Sequence, residues 1–325
     1  MKMTVETVRR PLAAPFVITG YTFTHLDAVW VTLEHEGATG RGEGVGIYYL
    51  GENPETMTRE LEGVRDAVES GASRTDIQSL LARGGARNAL DCAYWDLECK
   101  TTGQSIWQAL EVAPEPLVTV ATVGMGTPEE MAAKARAFGA YPQLKVKLDG
   151  HQPLERLSAI RNARPEATLL IDVNQGWSMT ELDAYTPELV NLGVAMIEQP
   201  LARGSDAELQ GYASPIPLGA DESCLDLSEY EEAASRYDVI NIKLDKCGGL
   251  TEALAIAERA RKEGKDLMVG NMTGTSLSMA PSHVIGQFCR FVDIDGPLLL
   301  ASDIAEGLAY GQGGLVEPPS ASLWG

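Results

Sequence analysis

The chain has 325 residues, 44% hydrophobic and 22% charged, an ordinary globular composition with room for two domains. Its net charge of −20 works against nucleic acid, whose phosphates demand Lys and Arg, and against an anionic membrane surface. Five cysteines, odd in number and without a CxxC pair, read as reduced thiols; no apolar leader or long apolar run appears, so the expectation is a cytoplasmic protein.

Residues 1–50 read as β. Ala28–Leu33 makes a good strand, and Glu34-His35-Glu36-Gly37 a turn leading into Gly40-Arg41-Gly42-Glu43-Gly44. Pro11 to Thr24 and Gly46 to Pro54, with their Pro, Gly and aromatic residues, read as loops. From Pro54 the pattern turns helical, and Arg87–Leu97 is a mainly apolar helix stopped by Gly103. Residues 1–116 thus form an α+β unit whose exit is Ala113-Pro114-Glu115-Pro116.

A new rhythm follows, a short apolar strand, a turn, then an amphipathic helix. Strands are expected near Leu117–Val123, Leu144–Leu148, Thr168–Val173, Val194–Glu198, Ile216–Asp221, Asp238–Leu244, Asp266–Asn271 and Arg290–Asp295. Thr127, Ser178 and Ser228, each with Glu three residues on, read as capping boxes. Eight such strands point to a parallel α/β barrel over residues 117–300, with a loop-like tail, 301–325, returning to the first unit.

The charged residues gather at the strands' C-terminal ends, where barrels of this type place their chemistry. Leu169-Leu170-Ile171-Asp172-Val173-Asn174 is the pattern stretch: a buried strand closing on an acid, with Asp172 and Asn174 facing the same way. Glu198 and Asp221 follow at about one strand–helix unit each, and three converging carboxylates without His or Cys suit a hard cation, Mg²⁺. Lys145 and Lys147 share one face of the second strand, and Lys243 ends the sixth, across the barrel. A cation and partial burial are expected to lower the lysine pKa values, giving a base on each face of a bound carbon. His25, His35, His151 and His283 have no ligand spacing.

Lys145-Val146-Lys147, Asp172-Val173-Asn174, Ile197-Glu198-Gln199-Pro200, Ala220-Asp221-Glu222-Ser223 and Asn241-Ile242-Lys243 together resemble the enolase superfamily and its muconate-cycloisomerase-like subgroup. The resemblance spans essentially the whole chain. It implies an α/β fold, a modified (β/α)8 TIM-type barrel, with an N-terminal α+β capping domain completed by the C-terminal tail. It further implies Mg²⁺ on Asp172, Glu198 and Asp221, and Lys147 and Lys243 as the acid/base pair of a 1,1-proton transfer through a metal-stabilised enediolate. Lys145 would hold the substrate carboxylate, with Asn174 beside it.

Asp293-Ile294-Asp295, ending the eighth strand, resembles the dipeptide epimerases, where this pattern binds the substrate's α-ammonium. The implied reaction inverts the C-terminal residue of an L,L-dipeptide. Relatives acting on Ala-Glu tend to carry an Arg in the first cap loop, whereas Phe16–His25 here has no Arg or Lys. Tyr21 and Phe23, with Tyr48 and Tyr49 of the second loop, point instead to an apolar or mixed side chain. N-acylamino acid racemisation, cycloisomerisation and o-succinylbenzoate synthesis on the same scaffold stay open, as does a barrel that binds peptides without chemistry. Self-association also stays open.

Overall fold

The computed structural model describes residues 1–325. Three antiparallel strands begin the chain, β1 (Lys2–Ile18), β2 (Tyr21–His35) and β3 (Ala38–Gly44), followed by helices α1 (Pro54–Glu69), α2 (Arg74–Leu80), α3 (Gly85–Thr102) and α4 (Ile106–Leu110). The expected loop from Pro11 to Thr24 is instead the tip of a long β1–β2 hairpin turning at Thr19-Gly20. Pro11 and Pro15 are tolerated because β1 is an edge strand, and the register shifts between Pro11 and Phe16. Glu36 and Gly37, both at positive φ, make the two-residue β2–β3 turn. Gly46 to Asn53 is loop-like, as expected, apart from one 3₁₀ turn at Tyr48–Leu50, and Pro54 already opens α1.

The glycines of β3 have a task. A Cβ on Gly40, Gly42 or Gly44 would lie 2.3, 2.1 or 2.1 Å from the backbone oxygen of Ala93, Ala89 or Gly85 in α3. The strand therefore lies directly on the helix, and the alternate residues Arg41 and Glu43 project to the other side. Gly42→Leu is expected to destabilise the protein by about 3 kcal/mol through overpacking, seen as a fall in the thermal midpoint; an unchanged midpoint would show that the contact yields.

The remaining elements are β4 (Leu117–Val118), β5 (Ala121–Val123), α5 (Pro128–Ala137), β6 (Gln143–Lys147), α6 (Pro153–Ala163), β7 (Thr168–Asp172), α7 (Met179–Asn191), β8 (Val194–Glu198), β9 (Leu218–Ala220), α8 (Tyr230–Arg236), β10 (Val239–Ile242), α9 (Leu244–Cys247), α10 (Leu250–Glu263), β11 (Asp266–Val269), α11 (Ser276–Gly286), β12 (Phe291–Val292), α12 (Gly296–Leu299) and β13 (Leu315–Val316). Strands β5 to β12 form one parallel sheet of eight in chain order. The expected first strand, Leu117–Val123, is two: β4 pairs with β13 of the tail, and only β5 joins the sheet.

The sheet curls until its two edges meet. Val120 N–H donates to the Val292 carbonyl (2.9 Å), and side chains complete the seam: Thr122 N–H donates to Asp295 Oδ2 (2.8 Å), and Ile294 N–H to Thr119 Oγ1 (3.0 Å). Inside, Val120, Leu170, Met196, Val239, Met268 and Phe291 form a closed apolar layer, so the barrel is packed below its mouth. A larger apolar core lies around it, and a separate one lies between β1–β3 and α1–α3.

Thr127 and Ser178 make the expected capping boxes. The third fails, because Asp226 takes the Ser228 N–H and Ser228 sits in a 3₁₀ turn ahead of α8. The tail returns as expected: Trp324 Nε1 donates to the Cys92 carbonyl and Gly325 N–H to Asp96, both on α3. All five cysteines are unpaired, and no helix is long and apolar enough to cross a membrane.

Candidate active site

The strand pattern delivers the charged side chains in one register row. Lys147, Asp172 and Glu198 are successive partners across β6, β7 and β8, with Gly219 of β9 next. Asp172 and Glu198 stand two residues beyond Leu170 and Met196, on the inner face just above the apolar layer. At Gly219 a Cβ would lie 2.9 Å from Met196 Sδ, so the Met196 side chain fills the space that a larger residue would take. Asp221, Lys243 and Asp293 each lie within two residues past their strand.

Asp172, Glu198 and Asp221 are fully buried, with one oxygen from each lying within 4.8 Å of the others. Ammonium groups surround them. Lys145 Nζ lies 3.2 Å from Asp172, 2.8 Å from Glu198 and 2.9 Å from Asp293. Lys147 Nζ is 2.5 Å from Asp172, and Lys243 Nζ 2.6 Å from Asp221. Burial raises the Asp172 carboxyl, but Lys147, Lys145 and Lys243 outweigh it and hold the group at about 2. Burial and the neighbouring Asp172 push Glu198 above its ordinary value. Burial draws Lys145 and Lys243 down, yet the surrounding carboxylates leave both above their ordinary values.

Asn174 reaches the site by a turn rather than by strand alternation. Asn174 and Gln175 both take left-handed φ, Asn174 N–H donates to Asp172 Oδ1, and its Oδ1 accepts from Lys147 at 3.2 Å. Asp293 and Asp295 line the same cavity; Asn271 and Lys145 fix the first, and Thr122 N–H the second. Burial and then Asp293 push Asp295 up to about 7. Phe23 lines the cavity, but Tyr21 does not: it is 44% exposed and packs behind Phe23 and Tyr48.

The hairpin tip covers the barrel mouth because Thr19 Oγ1 donates to the Leu148 carbonyl and Met125 N–H to that of Val17. Phe16, Ile18, Phe23, Tyr48, Met272 and Leu299 thereby make the apolar side. The cavity encloses about 60 Å³ and shares Phe23, Tyr48, Met272 and Thr273 with a neighbour of about 200 Å³. The only cations on its wall are Lys145, Lys147 and Lys243.

Four residues of the site received no role in the sequence reading, three of them although they stand inside its motifs. Asn241 Nδ2 donates to Glu198 Oε1 at 2.7 Å; its alternation with Lys243 was the available signal. Lys246, wholly buried, lies 2.8 Å from Asp221 Oδ1 and donates to the Cys224 and Asn241 carbonyls. Gln199 accepts from the Asp221 and Ser223 N–H groups and donates to Tyr237. Glu222 lines the cavity beside Asp221, raised by burial to about 8.

The triad fits a hard cation. It offers only oxygens, and Glu198 Oε2 and Asp221 Oδ1 are buried with an ammonium at 2.8 Å but no aligned hydrogen bond.

The profile described as mandelate racemase / muconate lactonizing enzyme, N-terminal domain, matches residues 1–110, and the enolase C-terminal domain-like profile matches residues 129–322. The chain belongs to the enolase superfamily. Within this superfamily it is 42% identical over 308 residues to the L-Ala-D/L-Glu epimerase of Escherichia coli K12, covering 94% of this chain and 96% of that one. It is 40% identical to an N-acetyl-D-glutamate racemase of Pseudoalteromonas, over 77% of this chain and 79% of the other. A crystal structure of an enolase family member from Agrobacterium tumefaciens with homology to dipeptide epimerases, holding sodium and L-Ala-L-Glu, superposes with a TM-score of 0.96 at 42% identity over 99% of both chains. Several other solved dipeptide epimerases are complexed with Mg and a dipeptide.

Proposed function

We propose that this enolase-superfamily chain is a Mg²⁺-dependent dipeptide epimerase that inverts the α-carbon of the C-terminal residue of an L,L-dipeptide. The observation that carries the reading is the opposition of Lys147 and Lys243. They stand on the second and sixth barrel strands, on either side of the three carboxylates. Asp172, Glu198 and Asp221 would hold the ion. When bound, Mg²⁺ would offset the charge of the substrate carboxylate and the charge that builds on it as the α-proton leaves. With an ion taking up the charge of these carboxylates, one lysine would be neutral and accept the α-proton from one face, while the other, still an ammonium, would return a proton to the opposite face and so invert the carbon. Lys145 orients the carboxylate end, Asn174 steadies Lys147, and Asp293 and Asp295 take the α-ammonium. The lid over the barrel is the unit 1–116 completed by 301–325.

The epimerised side chain is apolar or mixed in this reading. Phe16, Phe23, Tyr48 and Met272 face it, the three wall lysines are paired with the acids of the centre, and His25 on the wall of the adjoining cavity is the one other basic side chain of the two cavities. Incubating L,L-dipeptide libraries in D₂O with Mg²⁺ and following the mass tests both points, since each substrate gains one deuteron. Dipeptides with a bulky neutral C-terminal residue are expected to label at least about 10-fold faster than Ala-Glu. Preferential labelling of Ala-Glu would refute the side-chain assignment. Labelling confined to N-acyl amino acids would favour the racemase reading, which the Pseudoalteromonas relative represents.

A further inference from the structure

Two buried carboxylates play no part in the chemistry above. Glu43 of β3 is 1% exposed and accepts from Trp30 Nε1 (2.6 Å), Thr275 N–H (2.8 Å) and Thr275 Oγ1 (2.5 Å). Thr275 caps α11 and ends the loop whose Met272 and Thr273 line the substrate cavity. Asp245 of α9, two residues after Lys243, is 4% exposed and accepts from Val45 N–H (2.8 Å), Gly46 N–H (3.1 Å) and Asn88 Nδ2 (3.1 Å). Val45 and Gly46 open the cap loop that carries Tyr48 and Tyr49. Asn88 joins the two halves, because its Nδ2 also reaches the Glu43 carbonyl (3.2 Å). No Lys or Arg hydrogen-bonds either carboxylate: every donor is a backbone amide, a hydroxyl, an amide or an indole. A buried acid hydrogen-bonded by neutral donors alone is costly to keep, with only the charge of nearby Lys243 favouring ionised Asp245, so we read the use of the pair as geometric.

We propose that Asp245 and Glu43 form a reciprocal clasp, each sending a carboxylate from one part of the molecule into the other, and that the clasp sets the two loops between which the substrate side chain sits. Asp245 holds the cap loop after residue 44, and Glu43 holds the barrel loop before residue 276. Asp245 is on this account a positioning residue, acting through Val45 and Gly46. This use of the pocket rests on the epimerase reading; the clasp itself does not.

Asp245→Ala frees the loop that walls the side chain, an interaction made equally in ground and transition states. It is expected to raise KM about 10- to 100-fold with kcat within about 3-fold. Asp245→Asn keeps the Oδ1 acceptor and removes only the charge, so KM should stay within about 3-fold of wild type. Hydrogen–deuterium exchange should accelerate across residues 44–53 in Asp245→Ala, with β6 to β8 unchanged, and match wild type in Asp245→Asn. A fall in kcat at constant KM would overturn the proposal by showing that Asp245 acts on Lys243. Unchanged exchange in the Ala variant, or an Asn variant as damaged as the Ala one, would overturn it too. Should Asp245→Ala not fold, Asp245→Asn decides alone: wild-type KM and protection support the clasp, and loss of either refutes it. If the wild type labels no dipeptide, the epimerase reading fails, while the exchange comparison, which needs no substrate, still tests the clasp.

Discussion

Replacing either Lys147 or Lys243 by alanine is expected to lower epimerisation by about 10³- to 10⁴-fold, the range removed with a positioned acid or base. The two variants should fail differently. Each retains one lysine, on one side of the barrel, so each should still exchange the α-proton of one epimer with D₂O while failing to invert it. The retained epimer should be opposite in the two variants. Calorimetric titration with Mg²⁺ should show the ion still binding, since Asp172, Glu198 and Asp221 are intact. Full activity in either variant would rule out two-base transfer, and exchange of the same epimer in both would place the lysines on one face.

The second large effect belongs to the eighth strand. Asp295→Asn should cut kcat/KM for dipeptides by about 10²- to 10³-fold, the cost of leaving a buried ammonium without its carboxylate. An N-acyl amino acid, which has no ammonium, should be nearly indifferent to the change. The pH profile gives a separate check. Burial and Asp293 place the Asp295 carboxyl at about 7, and an ammonium binds the ionised form. Protonation on the acid side of about 7 therefore weakens dipeptide binding, so kcat/KM should fall as pH drops through that value. Asp295→Asn should lose that limb. Equal losses on both substrate types would assign Asp295 to the barrel seam alone, where it accepts from Thr122.

How much of this was legible in the sequence follows from distance along the chain. Lys147, Asp172 and Glu198 could be read because each ends an apolar strand and period two fixes which way it faces. The barrel was legible for the same reason. The β1–β2 hairpin was not, because Pro11 and Pro15 read as breakers and only sheet order reveals that they sit on an edge. Lys246 was missed because a lysine in a short helix ordinarily points to water; here three carbonyls and Asp221 converge on it from separate segments. Of the two aromatic residues read as substrate-binding, Phe23 lines the cavity, whereas Tyr21 packs behind it at the start of β2, a difference that strand alternation does not decide, since it puts both on one face. Glu43 and Asp245 belong to elements roughly 200 residues apart, and nothing local in either stretch announces the other.

The seam between β5 and β12 deserves a mechanical reading. Seven of the eight strand junctions are ladders of paired backbone groups, whereas this one is joined by one backbone hydrogen bond and the side chains of Asp295 and Thr119. A hoop stretches where it is thinnest, and local opening follows the weakest hydrogen-bond supply. Local opening is therefore expected first beside Asp295, one of the carboxylates proposed for the substrate ammonium. If Asp295 takes the substrate ammonium, the most thinly bonded junction of the cylinder is also the one that the bound substrate would lean on.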